Sequence, residues 1–354
     1  MVTTEIILIG GIILGREVFY SFTIKQQGVQ CMTEQDGLVF CTVMDGNGNS
    51  ADRTVKEALS STGSGCTWIH LDYSQEPVRQ WLTDESGLSD VTIEALLADE
   101  TRPRAVAIDN GLLITLRSIN CNPGADPDDM VSIRLWMDDH RIISMRRRKV
   151  EAVNDLREEL RNGTGPRSSG EFLVMLTDRL TERISGVVAD IDEGLDRIEE
   201  VIGEQEPRLL RTRLSGYRRM IIGVRRYIVP QRDTMTRLYM ERISWLADID
   251  SMRLREVAEM TMRIIDDFDM MRDRASITHE EINGRLAEQM NRTMYAMSIV
   301  ATIFLPLGLL TGLLGINVGG IPGANTSWAF LAVCGILSGL AIVEYLLFRR
   351  KQII

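Results

Sequence analysis

The sequence has no Walker loop, no GxGxxG and no GxSxG, so nothing in it cradles a nucleotide or presents a strained nucleophile. Without any such constellation an enzyme is not expected. CxxC pairs are missing as well: Cys31, Cys41, Cys66, Cys121 and Cys334 are scattered and read as reduced, buried thiols. Histidine is scarce, and His70, His140 and His279 lie too far apart to suggest a metal-ligand spacing. Excess basic charge is lacking too, since the net charge is -10, which argues against a general nucleic-acid binder. The apolar run Ile6 to Leu14 is too short to span a bilayer and lacks the basic start of a secretory signal. Residues 1–35 read as an extension or disordered lead-in, with Met32 standing just before the first convincing strand.

What the chain does have falls into three regimes. Residues 36–165 read as a mixed α/β domain, with strands at Leu38 to Met44, Cys66 to Leu71, Ala105 to Ile108, Leu112 to Ile119, Val131 to Met137 and Arg141 to Met145. Asp109-Asn110-Gly111 is a tight hairpin signal, and Asp138-Asp139-His140 a second turn. Helical segments are expected at Val55 to Ser61, Pro77 to Ser86 and Thr92 to Ala98, and the loop around Pro123 and Pro127 reads as an exposed excursion.

Residues 166–249 switch to helical periodicity and read as an antiparallel hairpin of Glu171 to Ile202 and Pro207 to Ala247. The first helix is acidic, the second rich in arginine, so the two are expected to pair near their shared turn. No aromatics interleave with the arginines, which favours a solvated hairpin over a nucleic-acid surface. From about Asp250 a third helix runs without a breaker through a stalk, residues 250–294, into the membrane. The methionines along it, from Met252 to Met297, read as packing residues.

Two apolar runs follow, residues 295–315 and 328–348, each as long as a helix needs to cross a hydrocarbon core of about 30 Å. The first has no charge and the second only Glu344. The loop 316–327 is uncharged, whereas Arg349, Arg350 and Lys351 open the tail 349–354, so the positive-inside rule puts both ends of the chain in the cytoplasm.

Gly315-Ile316-Asn317 closes a membrane helix that contains Phe304-Leu305-Pro306-Leu307, and a short loop, one more span and a basic tail follow. This arrangement resembles the CorA superfamily of divalent-cation transporters, and Ile at the middle of the triplet resembles its ZntB zinc-transporter branch. Glu100-Thr101-Arg102-Pro103-Arg104 and Val229-Pro230-Gln231-Arg232-Asp233 are similar to features of the family's cytoplasmic domain, so the likeness covers roughly residues 36–354. It implies a homopentameric funnel in a bacterial inner membrane, zinc or another divalent cation as the transported ion, and no cofactor. It also implies an ion-selecting loop at Gly315, Ile316 and Asn317, and a pore lined by Asn291, Met294, Met297, Leu305, Gly308 and Gly312. Helical spacing alone groups Asn291, Met294, Leu305, Gly308 and Gly312 on one face but does not choose between Met297 and Ser298.

Three further features carry weaker expectations. Gly315 can serve as a helix C-cap with positive φ instead of a selectivity residue. Glu344 is the sole membrane acid, close enough to interface water for an anchoring role to be favoured over a proton relay. Asp266, Asp269 and Asp273 share a face of the stalk; by resemblance they could bind regulatory metal, but a solvated face balanced by Arg263, Arg272 and Arg274 is the expectation. The competing reading for the whole chain is a membrane-anchored structural or signalling stalk.

Overall fold

The computed structural model describes residues 32–33, 36–60, 65–99, 102–241, 243–316 and 326–350. The lead-in up to residue 31, Glu100 and Thr101, Asn317 with residues 318–325, and the tail from Lys351 lie outside the described residues. The chain divides into two compact units.

The first unit comprises the residues up to Ala125, Met130–Thr181 and Pro230–Glu259. Its centre is a seven-stranded sheet of β1 (Leu38–Met44), β2 (Ser50–Asp52), β3 (Cys66–Asp72), β4 (Arg104–Ile108), β5 (Gly111–Ser118), β6 (Val131–Met137) and β7 (Arg141–Arg146). The order is β2-β1-β3-β7-β6-β5-β4, antiparallel throughout except for the central pair β3 and β7. That pair is buried on both faces, and its side chains alternate between two cores as the pleat requires. Trp68 opposite Ile142 joins one core, Ile69 opposite Ile143 the other.

The helices α1 (Val55–Ser60), α2 (Glu76–Asp84) and α3 (Asp90–Leu97) cover the Ile69 face through Ala58, Trp81, Leu82, Ile93 and Leu96. On the Trp68 face lie α4 (Glu151–Arg161) and the first turns of α5 (Ser169–Val201), where Phe172 meets the Trp68 ring edge-on at 4.7 Å. The β4–β5 hairpin turns on Asp109 and Asn110, both at positive φ of 52° and 55°, the conformation a two-residue type I′ turn needs. The Asp109 carboxylate also accepts hydrogen bonds from the backbone and hydroxyl of Ser89, the residue capping α3, and so ties turn and helix together.

Two elements went unread in the sequence. β2 has only Ser50-Ala51-Asp52, no apolar pattern, and exists because the Asp45 carboxylate folds the β1–β2 turn by accepting from the amides of Asn47 and Asn49. Helix α4 does have its pattern, with Val153, Leu156 and Leu160 buried at helical spacing. The second long helix, α6 (Pro207–Met240), stops seven residues short of the expected Ala247, because Ile243, Trp245 and Leu246 leave the helix to pack into the core. Of the cysteines, Cys41 and Cys66 are buried, but Cys121 is exposed and Cys334 half-buried. Cys121 follows β5 on a loop, so the pleat no longer aims its side chain inward.

The second unit comprises Asp126–Asp129, Glu182–Val229 and the residues from Met260 on. It holds the end of α5, the start of α6, most of the 67-residue α7 (Asp248–Leu314) and α8 (Ala329–Arg350). Its helix packing is apolar along Ile191, Leu195 and Ile198 of α5, Leu214, Ile221 and Val224 of α6, and Ile264, Phe268 and Met271 of α7. The excursion around Pro127 is anchored here: Asp128 lies against Gly223 of α6, where an added Cβ would come within 2.6 Å of its side chain.

The expected pairing of α5 acids with α6 arginines gives way to pairing with α7. Arg274 of α7 bonds to Asp192 and Asp196 of α5 at 2.6 Å each and to Glu199 at 2.8 Å. Arg225 of α6 in turn holds Asp269 of α7 at 2.9 Å. Helix α7 lies within reach of both partners, so it takes the contacts that a two-helix picture assigned to the hairpin alone.

Candidate functional site

The last third of α7 is where sequence and local structure depart from the logic of a soluble helix. From Tyr295 to Leu314 it carries no charge, and it continues without interruption past Pro306. A proline inside a helix removes one donor, leaving the Thr302 carbonyl without its usual partner. The neighbouring hydroxyls do not compensate there, because Thr302 Oγ1 bonds back to the Ser298 carbonyl and Thr311 Oγ1 to those of Leu307 and Gly308.

Asn291, Met294, Met297, Leu305, Gly308 and Gly312 are all exposed along this stretch. Leu305 is 72 % exposed, so the described residues leave most of it uncovered. At Gly308 and Gly312 nothing lies within 4 Å of where a Cβ would stand. The face is therefore open, apolar and narrow in side chain toward Gly312, with the amide of Asn291 at its other end. Helices α7 and α8 both contain a stretch long and apolar enough to cross a membrane.

Gly315 corrects one expectation. Its φ lies outside the left-handed region, and its amide donates to the carbonyls of Thr311 at 2.9 Å and Gly312 at 3.2 Å. It therefore prolongs the helical ladder instead of reversing it, and an added Cβ would stand 3.1 Å from the Thr311 oxygen. Ile316 follows, half-exposed, and Asn317 lies outside the described residues. Glu344 sits on α8 partly covered, with one carboxylate oxygen buried and without a hydrogen-bond partner among the described residues. It stands six residues, about 9 Å, from the end of α8 at Arg350.

The stalk acids do not act as one group. Asp269 is held by Arg225 and by Arg272 at 3.0 Å, Asp273 by Arg272 at 3.0 Å, and Asp266 is exposed. Arg274, expected to balance this face, is turned away to α5. Among the described residues no three His, Cys, Asp or Glu side chains come together as a metal site. The methionines also differ from expectation: Met252, Met262, Met270, Met290, Met294 and Met297 are exposed, and of the series only Met271 is fully buried. Met270 borders α5, beside Val188, and is exposed all the same.

Two ionisable groups of the sheet core are removed from metal chemistry by burial. The Cys66 thiol, bonded to Ser169 Oγ, is pushed up to about 12 by burial, and His70, with Nδ1 2.7 Å from Ser144 Oγ, is pushed down to about 3 by burial and then by Arg146. Neither position was singled out by sequence pattern. The α5 acids that hold Arg274 could have been, since positions 192, 196 and 199 share a face.

Residues 63–350 match the family described as CorA-like Mg2+ transporter protein. The chain belongs to that family. A "Divalent cation transporter CmaX" from Pseudomonas aeruginosa is 36 % identical over 323 residues, covering 90 % of this chain and 97 % of the relative. A "Zinc transport protein ZntB" from Yersinia enterocolitica is 36 % identical over 304 residues, covering 86 % and 92 %. Among solved structures, full-length CmaX superposes with a TM-score of 0.74 at 35 % identity, covering 90 % of this chain and 98 % of that one. The CorA magnesium transporter of Methanocaldococcus jannaschii gives a TM-score of 0.75 at 17 % identity, covering 88 % and 98 %, a likeness of fold. The family is one of transporters, and the two apolar helices make this CorA-family chain a membrane protein.

Proposed function

We propose that this chain assembles as a homo-oligomer, a pentamer by family resemblance, in a bacterial inner membrane and conducts zinc or a related divalent cation along an axis lined by the end of α7. The observation that carries the reading is the uncharged face of α7 from Asn291 to Gly312, which is exposed among the described residues. One such face is a packing stripe. Several around an axis make a wall that is polar at Asn291, apolar in the middle and narrow-chained near Gly315.

The wall has no thiolate, imidazole or carboxylate. Those groups hold zinc tightly in closed tetrahedral sites, whereas conduction needs release as much as capture. Amide oxygens of Asn317 and Asn291 instead suit the water shell of a hydrated cation, with Gly315 and Ile316 placing Asn317 at the outer mouth. With both chain ends cytoplasmic, the membrane potential draws a cation inward by about 2.3 kcal/mol per charge per 100 mV, doubled for a dication. Uptake is then the passive direction, and a proton gradient can add to it. Glu344 anchors α8 near the interface in this reading.

The deciding experiment is radioactive zinc and magnesium flux into proteoliposomes, with and without a proton gradient. Zinc uptake that follows the imposed potential is the expected result. A sealed liposome that takes up neither ion would overturn the reading.

A further inference from the structure

A groove runs between α5 and α7 in the second unit, with a volume of about 260 Å³. Val188, Ala189, Met270 and Met271 give it an apolar floor, and Asp192 and Asp267 stand at its rim. Asp192 is engaged by Arg274, but Asp267 has no ion pair among the described residues. Met270 is 55 % exposed. An apolar trough with a free carboxylate beside it is shaped for a branched apolar side chain next to a cation.

The outer face of α6 offers that combination. Arg208, Arg211, Arg219, Ile222 and Arg226 are exposed and share one side of the helix, and no acid occurs from Pro207 to Gln231. None of these four arginines has an ion-pair partner among the described residues, in contrast to Arg225, one residue away on the inner side. Ile222, 62 % exposed, lies in the middle of them.

The two surfaces lie at the same height along α7. The Arg225–Asp269 bond sets α6 level with Asp269, and because α6 runs opposite to α7, Ile222 stands about 4 to 5 Å further along, level with Met271 and Arg272. Arg226 falls level with Phe268 and Asp267 by the same count. The bonds from Arg274 to Asp192, Asp196 and Glu199 place Asp192 slightly below Arg274, at that same height.

A chain cannot put its own α6 outer face into this groove, because the inner face of α6 carries Leu214, Ile221 and Val224, which are buried. A neighbour related by rotation about an axis along α7, with no rise, brings its α6 to the same height. We infer that Ile222 and Arg226 of one copy fill the α5–α7 groove of the next, with Arg226 paired to Asp267, making a heterologous contact that closes into a ring. The inference rests on the oligomer proposed above. An anionic membrane surface is the weaker occupant for the α6 arginines, because Glu200, Glu204 and Glu206 lie at the hairpin end that precedes them.

The test is disulfide trapping of the full-length protein in detergent, in a Cys121→Ser background. Ile222→Cys combined with Met270→Cys should form an intermolecular ladder on oxidation that neither single variant forms. In parallel, Arg226→Glu should raise the concentration at which the oligomer half-dissociates at least tenfold, and adding Asp267→Arg should bring it back to within about threefold of the parent. An oligomer of unchanged mass with no ladder and no effect of Arg226→Glu overturns the contact while leaving the ring intact. A parent protein that is monomeric at all concentrations overturns the contact and the proposed oligomer together. Loss of bound phosphatidylglycerol in Arg226→Glu, seen by native mass spectrometry without any ladder in the double-cysteine variant, assigns the arginines to lipid and also overturns it.

Discussion

The β3–β7 pair and the last third of α7 are both apolar, and they answer water in opposite ways. Trp68, Ile69, Ile142 and Ile143 are buried completely within their own chain. Leu305, Phe304 and Met297 are at least two-thirds exposed in it. The first region finishes its folding with its own residues, alternating side chains between two cores. The second leaves its apolar side chains largely uncovered by the described residues of its own chain. Apolar sequence therefore encodes two different things here: a core in the sheet, and in α7 a stretch long and apolar enough to cross a membrane.

The largest effect that can break this contrast is functional and falls at Asn317, which follows the second region in sequence. Asn317→Ala should reduce zinc flux in proteoliposomes to background while the detergent-solubilised oligomer keeps its mass. Wild-type flux in that variant would reduce the Gly-Ile-Asn segment to a structural turn.

A matched pair of truncations sharpens the comparison directly. Trp68→Ala removes a fully buried ring that also donates to Ser144 Oγ at 2.8 Å, and should cost about 3–5 kcal/mol in urea unfolding of the first unit's signal. Leu305→Ala should change that unfolding by less than about 0.5 kcal/mol, yet alter the zinc flux. If Leu305→Ala destabilised the fold as much as Trp68→Ala, the α7 face would be an internal core.

The sheet core also predicts a pH dependence that the α7 face lacks. Because burial holds the folded pKa of His70 at about 3, below its ordinary value of 6.5, the unfolded chain binds the extra proton between those values. His70 thus imposes no loss of stability above about pH 6.5, and stability falls as pH drops below it, by up to about 1.4 kcal/mol per pH unit. Carboxylates titrate lower in the same window, so the difference between variants is what counts. The melting temperature of His70→Asn should fall less steeply from pH 6.5 to 4.5 than that of the parent. Equal slopes would mean that His70 is hydrated in the folded protein.

How far the sequence could be read follows the same divide. Short runs rich in Val, Ile, Leu and Thr located six of the seven strands, and Asp109-Asn110-Gly111 announced its turn, because those signals are local. The parallel pairing of β3 with β7 was not legible, since no short-range pattern says which distant strands meet. Likewise a positive-φ cap, the alternative to a selectivity role at Gly315, could be set aside only once its amide was seen to continue the ladder to Thr311. The open face of α7 was legible as a stripe, but the exposure of Met252, Met262 and Met270 was not, since spacing along one helix does not say which side its neighbours cover. Charge was the least legible of all. Arg274 pairs with acids of α5, and Asp269 with Arg225 of α6 as well as with its own neighbour Arg272, so helices dozens of residues away decide much of the pairing.

That last point sets the smallest expected effect. Asp266, Asp269 and Asp273 look like a metal site only while they are taken as three bare carboxylates on one helix face. In the fold Asp269 shares two guanidinium groups, Asp273 shares one of them, and Asp266 stands alone in solvent. Each of those pairs is at least one-third exposed, so solvent screens it and it adds little to stability. A dication approaching the face meets a field already reduced by Arg225 and Arg272, and would have to displace them to gain more than one bare carboxylate. Changing Asp266 and Asp269 together to Asn should therefore leave zinc flux, and its dependence on cytoplasmic metal, within about twofold of the parent, with a stability loss of about 1 kcal/mol or less. A variant that conducted at much lower metal, or no longer closed when cytoplasmic zinc was raised, would mean that the carboxylates of adjacent copies join into a gating site that the single chain does not form.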